Sequence, residues 1–318
     1  MQKSRGIKRI LVWHQGALGD LLLAGPTLLA VSRHYPGARF TAVGHPGLWR
    51  LLAGSLSPGA VWDGGEAVWA WLFQEQGDIP PRLQERLAGI DLALVFSPRQ
   101  RPLFLDRLVQ SGVARAVWIP SFPEGGTEHV AAIQARRLEE LGIGVDSEPF
   151  RLRFQPETWE AVGLNPGKMI LALGPGSGSP TKNWPLSSYY EVSRALAFDA
   201  GLQVVWLAGP AEATLLPYIQ GLAAAQEQAV WANEPLERVA RLLARTRVYL
   251  GGDSGLTHLA AAAGAHRVVA LFGPTDPRVW APPGSQVTVL TPPGGTGPDA
   301  SLADLSAEAV LSVLRPLL

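Results

Sequence analysis

The sequence has 318 residues and no cysteine. That absence excludes disulfide bridges, thiolate zinc sites and a cysteine nucleophile. Net charge is also absent, with 27 lysines and arginines against 27 aspartates and glutamates. A balanced chain offers no bulk attraction to nucleic acid, and no nucleic-acid partner is expected. No apolar run reaches the roughly 18 residues that a spanning helix needs. The opening stretch MQKSRGIKRILVW passes from basic residues into an apolar run that His14 and Gln15 interrupt, so it reads as neither a signal peptide nor a membrane span. A cytoplasmic protein is expected. The six histidines are scattered and none falls in His-x-x-x-His spacing, so no metal site and no metal cofactor are expected. Gly-x-Gly-x-x-Gly is missing after the first apolar run, and no Gly-Lys-Ser/Thr triplet opens a helix, which argues against a dinucleotide-binding dehydrogenase and a P-loop.

What is present is a well-buried chain, 47% hydrophobic and 17% charged. Its length suits two domains of about 150 residues each. Short apolar runs recur at Arg9–Trp13, Phe40–Val43, Leu92–Phe96 and Ala116–Ile119, with helical stretches between them such as Leu21–Arg33 and Thr127–Leu141. Runs without polar alternation suit strands buried on both faces of a parallel sheet, and their alternation with helices implies βαβ units. The pattern lapses over Gly142–Glu157, an extended, turn-rich stretch taken as a linker. It then restarts with Met169–Leu173, Gln203–Ala208, Arg247–Leu250 and Arg267–Phe272, and with helices beginning near Ser187, Ala211, Pro235 and Leu256. The expectation is an α/β protein with two doubly wound, Rossmann-like domains, 1–150 and 151–318, facing each other across a cleft, and with the last helix packing back on the first domain. The chain through Gln155 carries 17 basic and 14 acidic residues and the remainder 10 and 13, so an anionic partner would meet the first half.

Four loops after strands hold residues suited to chemistry. In HQGALGDLLLAGPTLLA, Gly16 and Gly19 permit close backbone approach. Asp20 would repel a pyrophosphate there, so it serves as a general base, as a ligand for hydroxyls, or only as a cap on the helix it opens. In GPGSGSPTKNWP, backbone amides, hydroxyls and Lys182 can surround phosphate oxygens, unless Lys182 merely sits on a solvated turn. In LAGPAEA, Glu212 either takes two sugar hydroxyls or satisfies a helix dipole. In GGDSGLTHLAAAAGAHRVVALFGPTDP, the residues Asp253, Ser254 and Gly255 stand at a helix mouth with His258 one turn in. Amides, hydroxyl and imidazole can converge there on an anion while Asp253 accepts sugar hydroxyls. Otherwise Ser254 or Asp253 only caps the helix and His258 packs among alanines.

Taken together, the stretches RILVWHQGALGDLLLAGPTLLA, TEHVAAIQARRLEELGI, KNWP and GGDSGLTHLAAAAGAHRVVALFGPTDP resemble the ADP-heptose lipopolysaccharide heptosyltransferases, glycosyltransferase family nine, over nearly the whole chain. The resemblance implies a GT-B fold and metal-independent, inverting transfer of heptose from ADP-heptose to an inner-core lipopolysaccharide saccharide. It implies Asp20 as the base for the acceptor hydroxyl, Ser177 as a phosphate-binding hydroxyl, Lys182 on the diphosphate and Glu212 near the ribose. It further implies Asp253 on the donor sugar and Ser254, Gly255 and His258 at the mouth that receives the diphosphate. The donor is then a nucleotide sugar and the acceptor an anionic saccharide or glycolipid, met by Arg33, Arg39, Arg50, Arg99, Arg101 and Arg107, with peripheral contact at the inner membrane surface. Two other readings remain: a GT-B transferase or epimerase using another nucleotide sugar, and a non-catalytic nucleotide-sugar-binding module.

Overall fold

Residues 6–123, 125–154, 165, 167–200 and 202–318 are described by a computed structural model. They divide into two compact units, Met1–Glu148 and Pro149–Leu318. Of the expected linker, residues 142–154 carry no helix or strand, and residues 155–157 lie outside the described residues.

The first unit holds β1 (Arg9–His14), β2 (Arg39–Gly44), β3 (Ala60–Asp63), β4 (Leu92–Ser97) and β5 (Ala116–Pro120). All pair in parallel, in the order β3-β2-β1-β4-β5. The second unit holds β6 (Ile170–Gly174), β7 (Gln203–Ala208), β8 (Ala229–Ala232), β9 (Val248–Gly252), β10 (Arg267–Leu271) and β11 (Val287–Leu290). These are parallel as well, in the order β11-β10-β9-β6-β7-β8. Both orders are doubly wound. In such sheets a ligand crevice opens beyond the carboxyl ends of the strands where the order reverses. That point lies between β1 and β4 in one unit and between β6 and β9 in the other.

Central strands are buried because helices cover both faces, which explains why β1, β4, β6 and β9 read as unbroken apolar runs. The strands β3, β8 and β11 were not expected from the sequence. Each has four residues, lies at a sheet edge and is only partly buried, so it shows no long apolar run.

The first expected helix, Leu21–Arg33, is two helices, α1 (Leu18–Leu23) and α2 (Gly25–His34). Pro26 stands in the first turn of α2, and a proline cannot continue the preceding helix because it lacks an N–H. The closing helix, α3 (Ala307–Leu314), was expected on the first unit. Its Val310, Leu311 and Leu314 join the second unit's core, with Val192, Leu196 and Leu305. The apolar stripe of this helix completes that core.

Candidate active site

The carboxyl ends of β6 and β9 bring two of the four loops together. β9 ends in Gly251 and Gly252, and the next residue, Asp253, donates its backbone N–H to the Leu271 carbonyl at 3.1 Å. The Asp253 carboxylate then points at the loop after β6. Its Oδ2 accepts from Lys182 Nζ at 2.7 Å and from Thr275 Oγ1 at 2.8 Å, while Oδ1 lies 4.0 Å from His258 Nε2. Lys182 keeps 30% of its side chain exposed and Asp253 10%, so the pair is largely shielded, with the lysine as its solvent-facing member. The two loops approach closely: a side chain at Gly252 would stand 2.9 Å from the Lys182 carbonyl oxygen. Glycine is required there by contact with backbone.

Helix α4 (Gly255–Ala263) starts immediately after this pair. Ser254 is its N-cap in extended conformation, yet the Ser254 side chain caps no amide. The nearest hydroxyl is instead directed inward. Thr257 Oγ1 donates to the Gly252 carbonyl at 2.5 Å and stands 3.2 Å from the buried Tyr249 hydroxyl. The first turn of α4 therefore presents amides, and the positive end of the helix dipole, without a side-chain cap. His258 is buried one turn in, and its Nε2 faces the Asp253 carboxylate from 4.0 Å, beyond direct hydrogen-bonding distance.

Glu212 is buried, and its Oε2 accepts the Gly209 N–H at 2.6 Å. Burial raises its pKa above the ordinary carboxylate value, and the Gly209 amide partly opposes that shift. Gly176, in the loop after β6, lies so close that an added Cβ would overlap the Glu212 carboxyl. Ser177 in the same loop is buried and holds it in shape: its Oγ lies 2.7 Å from the Ser179 carbonyl and 2.8 Å from Asn183 Oδ1. Lys182, Glu212, Asp253, Ser254, Gly255 and His258 are thus ordered around the β6 and β9 ends, and the Ser177 hydroxyl is engaged within its own loop.

In the first unit, Asp20 occupies the first turn of α1, and its Oδ2 accepts the Ala17 N–H at 3.0 Å. A carboxylate has further acceptor capacity beyond one such bond. Asp20 lines a cavity of ≈ 380 Å³ at the carboxyl ends of β1 and β4, walled by Trp13, His14, Phe96, Phe104, Trp118 and Arg101. Of the arginines expected to meet an anionic acceptor, Arg101 lines this cavity. Arg107 is buried and donates to the Trp71 and Gly77 carbonyls, and Arg33 pairs with Asp146. Arg107 thus braces the fold, while the Arg33–Asp146 pair lies at the surface.

Residues 133–305, more than half of the chain, match glycosyltransferase family 9 (heptosyltransferase). The chain belongs to glycosyltransferase family 9. It is a glycosyltransferase, similar over 301 residues and at 24% identity to lipopolysaccharide heptosyltransferase 1 of Pseudomonas aeruginosa, a match spanning 85% of this chain and 79% of that one. Among solved structures, Escherichia coli ADP-heptose lipopolysaccharide heptosyltransferase II superposes over 97% of this chain and 98% of its own, with TM-score 0.77 and 19% identity. E. coli heptosyltransferase WaaC, solved with ADP, superposes over 98% and 100%, with TM-score 0.71 and 19% identity. These likenesses give the enzyme the GT-B fold.

Two residues that border this candidate site do not stand out in the sequence. Thr275 sits in the GPTDP loop after β10, and its hydroxyl supports Asp253. His14 was noted only as an interruption of an apolar run, although it ends a central strand just before the Asp20 loop. A polar residue at the carboxyl end of a buried strand was the available signal. Among the described residues, no group of three or more histidine, aspartate or glutamate side chains could hold a metal ion. No helix among them is long and apolar enough to cross a membrane.

Proposed function

We propose that the enzyme transfers a heptose from ADP-heptose, with inversion, to an inner-core lipopolysaccharide saccharide. The observation that carries this reading is the Lys182–Asp253 pair at 2.7 Å, set before the uncapped first turn of α4. A helix N-terminus and a lysine favour a diphosphate. The carboxylate beside them suits the hydroxyls of the attached sugar. Glu212, buried beside this loop, takes the nucleotide's ribose hydroxyls, and Ser177 shapes the loop that receives the phosphates.

In the reaction, an acceptor hydroxyl oxygen forms the new bond to the anomeric carbon of the donor. The bond from that carbon to the β-phosphate oxygen breaks, and ADP departs with the electron pair. Charge grows on the β-phosphate, where Lys182, the α4 amides and His258 stabilise it without a metal. Asp20 takes the acceptor proton. The aromatic cavity beside Asp20 holds the acceptor saccharide, with Arg101 for an anionic substituent. Phe73 and Phe122 line the same cavity and are each 45% exposed, which suits a lipid-linked acceptor presented at the cytoplasmic face of the inner membrane.

Mass spectrometry after incubation with ADP-heptose and a panel of de-acylated inner-core saccharides tests the reading. A product heavier by one heptose is expected with at least one acceptor, in magnesium or in chelator alike. No product with ADP-heptose, alongside turnover of another nucleotide sugar, overturns the donor assignment.

A further inference from the structure

The cavity beside Asp20 contains a buried polar group, His14, that takes no part in the transfer step. His14 is only 3% exposed, and its Nε2 has no hydrogen-bond partner. Its other ring nitrogen is engaged, since the Gly16 N–H donates to Nδ1 at 3.3 Å. An imidazole that accepts at Nδ1 and is neutral carries its proton on Nε2. Burial keeps it neutral, lowering its pKa to about 4. The side chain is therefore a buried donor with no acceptor at hydrogen-bonding distance, in the lining of an open cavity. Native folds leave few buried donors unpaired, and those they leave call for an explanation such as a ligand.

The neighbours of His14 indicate what that ligand would be. A Cβ built on Gly16 would stand 2.8 Å from His14 Cε1 and 3.0 Å from Asp20 Oδ2, so imidazole and carboxylate pack around the same small residue. The ring also meets Phe96, with centroids 5.5 Å apart. Trp13, Phe104 and Trp118 complete a largely carbon wall. A donor and an acceptor side by side among aromatic faces match the vicinal oxygens and C–H face of a sugar.

We propose that His14 is an acceptor-positioning residue, whose Nε2–H donates to an oxygen of the saccharide next to the hydroxyl that Asp20 deprotonates. The proposal rests on the reading of Asp20 as the acceptor-side base. The hydrogen bond selects which acceptor hydroxyl faces Asp20, because the neighbouring oxygen must be able to accept. It takes no proton in the reaction.

The test compares His14→Phe, which keeps a ring and removes the donor, with His14→Gln, which returns an amide N–H near the Nε2 position. Kinetics use ADP-heptose and the de-acylated inner-core saccharides. One neutral hydrogen bond corresponds to about a tenfold change. The Phe variant should raise the acceptor KM by about that factor, more than it lowers kcat, with ADP affinity and Tm held, and the Gln variant should recover most of the loss. A wild-type acceptor KM in the Phe variant overturns the proposal, as does a loss that Gln does not recover. Asp20→Asn in the same assay separates the two ideas. If it abolishes turnover while the Phe variant keeps its acceptor KM, only the positioning role falls. If it retains turnover, the base reading falls and takes the proposal's geometry with it. Nitrogen-15 NMR of the free enzyme supplies a readout that needs no acceptor: His14 should be protonated at Nε2 near neutral pH, and the Nδ1–H tautomer overturns the proposal.

Discussion

Lys182 Nζ and Asp253 Oδ2 lie 2.7 Å apart although 71 positions separate them in the chain. Each holds the other's charge before any ligand arrives. Thr275 braces the same carboxylate oxygen at 2.8 Å, so the acid stays in place if the lysine turns to a phosphate. A diphosphate would then compete with Asp253 for Lys182, and that competition makes the two residues separable by mutation.

Lys182→Ala should weaken ADP binding by tenfold to a hundredfold, since a charge-assisted hydrogen bond is worth roughly 1.5–3 kcal/mol. Asp253→Ala should leave ADP affinity the same or higher, because it releases Lys182, while affinity for a non-transferable ADP-sugar falls about tenfold or more. Calorimetry with both ligands checks this. Equal losses of ADP and ADP-sugar in the Asp253 variant would make Asp253 a brace for the loop.

Asp20→Asn should lower turnover by about two orders of magnitude or more, within the usual range of general base catalysis. Its amide oxygen can still accept the Ala17 N–H, so Tm should hold. Asp20→Ala should lose that bond as well, at roughly 1 kcal/mol of stability. Steady-state kinetics beside thermal melts distinguish base from cap, and an Asn variant with more than half of wild-type turnover identifies a cap.

Gly176→Ala should displace Glu212, because the new Cβ would occupy the space of its carboxyl group. Overpacking of this kind costs about 1–3 kcal/mol. The companion change Glu212→Ala should restore stability to the double variant without restoring nucleotide affinity. A chemical-denaturation double-mutant cycle, with ADP titrations, measures both.

His14 predicts an acid limb in stability. Its folded pKa of about 4 lies below its ordinary value of 6.5. On that interval the unfolded chain binds the proton and the folded chain does not, so stability falls as pH falls from 6.5 towards 4. Between about pH 7 and about pH 5 the loss attributable to this residue should be about 2 kcal/mol. Asp20 and Arg101 are the charged groups that share its cavity and remain in the variant His14→Phe, which should flatten that limb. Urea melts at the two pH values check it, and an unchanged limb in the variant would show that His14 protonates without penalty.

By itself the sequence determined the architecture of the central sheet strands and the loops that follow them. Ile10–Val12, Leu92–Val95 and Leu171–Leu173 are legible because a strand buried on both faces must be apolar at every position. Asp20 and Asp253–Gly255 are legible because each stands where a strand's loop opens a helix, with glycines alongside. The edge strands β3, β8 and β11 were not, since half-exposed strands of four residues carry neither an unbroken run nor a long alternation. Only the tertiary structure decided that Lys182 meets Asp253, that Gly176 makes room for Glu212, that the closing helix completes the second core, and that His14 keeps a nitrogen unpaired. These depend on which strands lie side by side. β6 and β9 are neighbours because the chain crosses over between them, and β1 and β4 likewise. Local periodicity reports what a segment buries, while the contacts that assemble a site are set by strand order, which joins residues tens of positions apart.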